Sequence, residues 1–291
     1  MTELSTETLD LVAFGPHPDD VELFCGGVML AMADRGYRTG IVDLTWGERA
    51  SQGTKETRIG ECELASGLMK LHCRTNLELP DTLLPPLAWA VGAYGGENLS
   101  KPTDAGCFPT GIPQEVEAAL AKLVTVIRGL RPRVVVIPPS KERHPDHVAA
   151  HYLITQALFY AQLRNFPHAE SLPPFQPDQM LVYPMRVELT PSFIVDTSHV
   201  VERKRELVHC YRSQVTRQVT DGSNTEISGT LLSSSLAMSV LETRDKMAGA
   251  RIGTAAGEPY ISVNTLGLID PLDHFRRNPF HRPHLFAAVE F

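Results

Sequence analysis

Residues 10–14 read DLVAF and are followed at once by Gly15-Pro16-His17-Pro18-Asp19-Asp20. The apolar run has the length and composition of a buried strand, and the Gly- and Pro-bearing hexapeptide after it cannot continue one. Residues 24–35 then show helical apolar spacing, closed by Gly36, and 39–45 (TGIVDLT) return to a buried-strand pattern. Strand, polar turn, helix and strand in that order make a right-handed βαβ crossover, which needs a parallel sheet.

The alternation continues outward. A second amphipathic helix is expected over 54–70 and a short strand near 74–79. A helix over 113–130 starts with Pro and stops before Arg131-Pro132. Residues 133–137 (RVVVI) are the most strand-like in the chain, and a helix over about 145–163 follows. Beyond Phe166 the pattern loosens, with strands expected at 179–183 and 192–195 and helices near 200–211 and 231–250. The fold class is therefore α/β: a Rossmann-like, mostly parallel sheet with helices on both faces, plus a C-terminal elaboration. One domain is expected over 1–291, with its core over 1–165 and the elaboration over 166–291. The Pro- and Gly-rich stretch 80–113 reads as an irregular insertion, too long for a plain connection.

Composition sets bounds on function. The 291 residues carry 27 Lys plus Arg against 34 Asp plus Glu, a net charge of −7, with 43% hydrophobic residues. That balance fits a folded chain and argues against a nucleic-acid or anionic-membrane partner, which would need a positive surface. No apolar stretch reaches the roughly 20 residues of a membrane span, and the N-terminus lacks the pattern of a secretory leader. Cys25, Cys62, Cys73, Cys107 and Cys210 are scattered, odd in number and without a C-x-x-C pair. A disulfide framework and a thiolate metal site are thus poor expectations, and a cytoplasmic setting is the better one. Any metal would be held by imidazole and carboxylate.

Two polar clusters stand where ligands bind in open parallel sheets, at the carboxyl ends of strands. One is His17-Pro18-Asp19-Asp20; the other is Arg143-His144-Pro145-Asp146-His147, a few residues after RVVVI. Each alone could be a helix cap, and Pro145 makes His144 a plausible one. Together they allow His17, Asp20 and His147 to form a two-His, one-carboxylate metal site with an open position, the pattern of catalytic zinc. Asp19 is then placed as a base for water. Fe²⁺ or Mn²⁺ suits the same donors. His151 reads as a packed residue, His281 and His284 as surface, and His72, His168, His199 and His209 as structural. Gly26-Gly27 lacks the remainder of a dinucleotide-binding loop.

The ordered set LVAFGPHPDDVELFCGG, GIVDLTWGERASQGTKETR, ERHPDH, PSFIVD, YRSQ and RDKMAGARIG resembles the PIG-L/LmbE family of zinc-dependent N-acetylglucosaminyl deacetylases, especially its bacillithiol-pathway branch acting on N-acetylglucosaminyl malate. The resemblance implies zinc on His17, Asp20 and His147, and Asp19 as general base. It implies that His144 assists at the acetyl carbonyl or the leaving amine, with Asp146 as its carboxylate partner. Arg58 is implied as a substrate contact, with Glu48 and Arg49 as further sugar contacts. It also implies a small amino-sugar conjugate as partner and a homo-oligomer. Two departures stand out. Ala256 occupies the place of a family tyrosine that helps hold the oxyanion, with Tyr260 as the nearest replacement, and the 80–113 stretch is long. Deacetylation of another amino sugar or small amide, and metal or sugar binding without turnover, are therefore the alternatives.

Overall fold

The computed structural model describes residues 8–90, 114–169, 171–215, 234 and 236–277. Seven strands form one sheet in the order β3-β2-β1-β4-β5-β7-β6. Strands β1 (Leu11–Gly15), β2 (Thr39–Asp43), β3 (Cys73–Asn76), β4 (Val134–Ile137) and β5 (Gln179–Val182) are all parallel. Strand β7 (Gly257–Ser262) then runs antiparallel to β5 and to the edge strand β6 (Phe193–Asp196). The expected mostly parallel α/β sheet is present, and the C-terminal elaboration supplies its antiparallel edge. Register is tight at the centre, where Leu11 pairs with Thr39 on one side and Val134 on the other.

Every residue of β1 and β2 is buried, as a sheet covered on both faces requires. One core cluster gathers Val12, Phe14 and Val135 with α4 (Leu84–Ala90), α5 (Gln114–Leu130) and α6 (Pro145–Tyr160). The other gathers Ala13, Ile41 and Val136 with α1 (Asp20–Phe24), α2 (Gly26–Asp34), α3 (Lys55–Met69) and α7 (Val201–His209). Burying a Val, Leu or Phe of this kind contributes roughly 1.5–3 kcal/mol.

Helix ends follow local chemistry. Thr54 caps α3 by accepting from the Thr57 N–H, and Pro145 opens α6 at a position where its missing N–H costs nothing. The buried Arg128 near the end of α5 donates to the carbonyls of Ala161, Leu163, Ala169 and Leu172, fastening α5 to the chain leaving α6.

Four expectations need correction. The helix expected over 24–35 is two helices broken at Cys25, because Gly27 brings its N–H to 2.8 Å from Glu258 Oε1, and a Cβ at Gly27 would stand equally close to that oxygen. The start of the 80–113 stretch is not irregular: α4 forms within it, and 91–113 lie outside the described residues. Strand β7 and the helix α10 (Pro271–Arg277) were not anticipated; the helix expected near 200–211 is α7, the short α8 (Arg212–Val215) follows it unannounced, and the helix expected near 231–250 is α9, Ala237–Arg251. Pro259 inside β7 hides its strand character, since proline demotes a run to an edge or a non-strand.

Candidate metal centre and active site

Strands β1 and β4 are neighbours, so the turns that follow them face one crevice. His17 and Asp19 lie in the first turn, and Asp20 opens α1. His144 caps α6 and His147 lies in its first turn. His17 Nδ1 is 3.2 Å from Asp20 Oδ2, and His147 Nε2 is 3.3 Å from the same oxygen. Bonds of about 2.0–2.1 Å at a tetrahedral centre put neighbouring ligand atoms about 3.3–3.4 Å apart. Both imidazole distances to the shared Asp20 oxygen match that spacing. The three ligand atoms lie within 4.8 Å of one another.

The electrostatics agree. Burial would raise the Asp20 carboxyl, but His147 and His17 outweigh it and hold the group well below the usual carboxylate range. Burial opposes a charge on His17, yet Asp146, Asp20 and Asp81 raise its pKa well above the ordinary imidazole value. Three carboxylates around one ring mark an excess of negative charge, which is what a divalent cation neutralises.

Asp81 is the residue that sequence reading missed. It is buried, and its Oδ1 stands 3.2 Å from His17 Nε2, alongside Asp146 Oδ2 at 3.3 Å. The two carboxylates face Nε2 of His17 while Nδ1 faces Asp20, the outer-shell arrangement that would orient this ring toward a metal. Asp81 sits in an isolated Pro-Asp-Thr with no motif around it, so only the fold reveals it.

The resemblance pairs the Asp146 carboxylate with His144, and here the geometry differs. Asp146 Oδ2 meets His17 and accepts from the Thr82 N–H at 2.8 Å, while His144 Nδ1 accepts the backbone N–H of Asp146 at 3.2 Å. His144 is thus a helix cap as well as a neighbour of the trio. Accepting at Nδ1 fixes its proton on Nε2. Burial first, then His17 and His147, lowers its pKa, so the neutral ring presents an Nε2–H donor. The rings of His144 and His147 stack with centroids 4.7 Å apart.

Asp19 stands apart from the trio. Its backbone φ of 111° lies in the left-handed region that side-chain-bearing residues seldom adopt, a strain of order 1–3 kcal/mol. Arg58, buried on α3, holds the turn by donating to the Pro18 carbonyl at 2.6 Å and to Asp19 Oδ2 at 3.3 Å. Burial nevertheless raises the Asp19 carboxyl to about 6, against the lowering by Arg58.

Glu48 and Arg49 are exposed and tie their loop to the turn carrying Asp81. Glu48 Oε1 accepts the Asp81 N–H, the Arg49 N–H donates to Asp81 Oδ2, and the Arg49 guanidinium reaches Thr82. Tyr260 does not replace the family tyrosine, because its buried hydroxyl meets Cys25 Sγ at 3.1 Å and Glu258 Oε2 at 3.3 Å. His151 Nδ1 meets the Pro138 carbonyl, a structural contact. His281 and His284 lie outside the described residues.

The family model of PIG-L, described as GlcNAc-PI de-N-acetylase, matches residues 12–158, the stretch holding both clusters. The chain belongs to the PIG-L family. Diacetylchitobiose deacetylase of Thermococcus kodakarensis is 28% identical over 220 residues, 70% of this chain and 69% of that protein. The 1D-myo-inositol 2-acetamido-2-deoxy-alpha-D-glucopyranoside deacetylase of Nocardia farcinica is 29% identical over 171 residues, 56% of each chain. The chain thus spans about two thirds of the first PIG-L relative and about half of the second. Among solved structures, the conserved protein TT1542 from Thermus thermophilus aligns with a TM-score of 0.70 and 31% identity, over 90% of this chain and 98% of that one.

Proposed function

We propose that this PIG-L protein is a metal-dependent hydrolase that removes the acetyl group from an N-acetylated amino sugar. The observation that carries this reading is the convergence of His17, Asp20 and His147 at metal-ligand spacing beside an Asp19 that none of them uses. The deacetylases among its relatives support the same reaction class. Zinc as the ion, N-acetylglucosaminyl malate as the substrate and a homo-oligomeric assembly are its finer parts.

Amide hydrolysis needs a base for the attacking water, a donor for the developing oxyanion and a proton for the leaving nitrogen. When bound, the cation supplies Lewis-acid polarisation and acidifies the water. Asp19, with its carboxyl raised to about 6, is ionised at neutral pH and basic enough to take that proton. It returns the proton to the nitrogen as the C–N bond breaks, so acetate and a free amine leave and the carboxylate is restored. His144 donates from Nε2–H to the carbonyl oxygen. Arg58 holds Asp19 in its strained backbone. Asp81 and Asp146 keep the His17 ring in register.

One observation favours a second reading, binding without turnover. Ala256 offers no side-chain donor, and its N–H is spent on Ser198 Oγ. Acetate release from a panel of N-acetyl amino sugars, N-acetylglucosaminyl malate included, decides between the two. Turnover of any member supports the hydrolase. Metal-loaded protein that binds the sugars and releases no acetate supports the second reading.

A further inference from the structure

A cavity of about 720 Å³ opens between α9 and the chain from Pro184 to Pro191. Its walls are mostly apolar, and Leu236, Val240 and Met247 face it from one stripe of α9. Among the described residues, the walls carry four arginines, Arg143, Arg186, Arg244 and Arg251, and one acid, Glu188. In a chain of net charge −7, that is a local reversal of sign.

The arginines are arranged. The guanidinium of Arg244 lies 5.3 Å from the Phe24 ring centroid and that of Arg186 lies 5.7 Å from it, so two cations share one aromatic ring. Arg244 also donates to the Pro184 carbonyl and meets Asp245. Among the described residues, no carboxylate lies within salt-bridge distance of the Arg143 or Arg186 guanidinium.

The cavity adjoins the candidate metal centre through the chain. Arg143, on its wall, directly precedes His144, and Phe24 ends the helix that Asp20 begins. Glu142 fastens the two regions, since its Oε2 accepts the N–H groups of Arg186 and Val187 while its Oε1 accepts that of Arg143. Arg143 and Arg186 are thereby held together on the side of the cavity next to His144.

We propose that this cavity is the subsite for the non-sugar part of the substrate, and that it takes an apolar group bearing a carboxylate. The proposal rests on the deacetylase reading only for the position of the sugar. A planar guanidinium held on an aromatic face presents its N–H edge for two parallel bonds to a carboxylate.

The test is equilibrium binding of 4-carboxyphenyl and phenyl N-acetyl-β-glucosaminides to the metal-loaded Asp19→Asn protein by calorimetry. The acidic compound should bind about tenfold tighter, the worth of one charge-assisted pair, and adding Arg186→Ala should bring the two compounds to parity. Equal affinities, an acid preference that survives both Arg186→Ala and Arg143→Ala, or no binding of either compound would overturn the proposal. Acetate release by the wild type from the same compounds is scored separately. Release without acid preference in binding removes the subsite and keeps the deacetylase. Acid-dependent binding without release does the reverse.

Discussion

Asp19 and Asp20 are adjacent in sequence and meet different partners, and the backbone is what separates them. The φ of 111° at Asp19 turns its carboxylate toward Arg58, while Asp20, already helical, faces His17 and His147. Asp19→Asn keeps the shape and removes the base, so kcat should fall about 10²–10⁴-fold with metal content unchanged by elemental analysis. Loss of the metal along with activity would take Asp19 out of the role of base. Asp81→Asn should act through His17 instead. Metal affinity, read by chelator competition, should drop about 10–100-fold while circular dichroism stays native. Tyr260→Phe should leave kcat within about twofold, because only an interaction made in the transition state changes it and this hydroxyl is turned to Cys25 and Glu258. That His17, Asp20 and His147 come together was legible because HPDD follows an apolar run directly and RHPDH follows another within a few residues. Asp81 was not, since its partner lies 64 positions away. The Asp146 carboxylate was assigned to a near neighbour and went to a distant one.

At the scale of elements, the sheet's central order was readable because β1, β2 and β4 are uninterrupted apolar runs and their helices carry clear stops. Strand β7 was not, yet it completes the packing behind the site. Glu258, on β7 and fully buried, accepts the N–H groups of Gly27 and Val28 at 2.8 Å each and pairs with Lys204 Nζ at 2.6 Å. Lys204 also meets Asp245 on α9, so one buried network joins β7, α2, α7 and α9. Glu258→Ala would leave a buried ammonium short of a partner and two N–H groups orphaned, and should cost about 3–5 kcal/mol in denaturant unfolding. Gly249 makes the second tie. A Cβ there would stand 2.6 Å from the Ala256 backbone, so Gly249→Ala should force α9 off β7 at about 1–3 kcal/mol. A stability change within error for either variant would show that this face is not packed as described.

On the proposed function, part of the whole molecule's stability would rest on the ion. A cation that binds the folded crevice alone stabilises by about 2.7 kcal/mol at a hundredfold excess over Kd, which is several degrees of Tm for a chain of this size. Divalent metal should therefore raise the thermal midpoint and a chelator lower it, with Asp20→Asn abolishing the difference. An unchanged midpoint in the wild type would argue that the trio holds no ion. The pairing of β1 with β4 has a further consequence, in folding order. His17 and His147 are 130 positions apart in the chain, and closing so long a loop precedes any gain from the contacts it makes. A nascent chain can thus present HPDD to the solvent long before it can grip a metal. Under the proposed function, metal capture would be the last event of maturation, and the ion would act as a latch that closes only on a correctly assembled sheet.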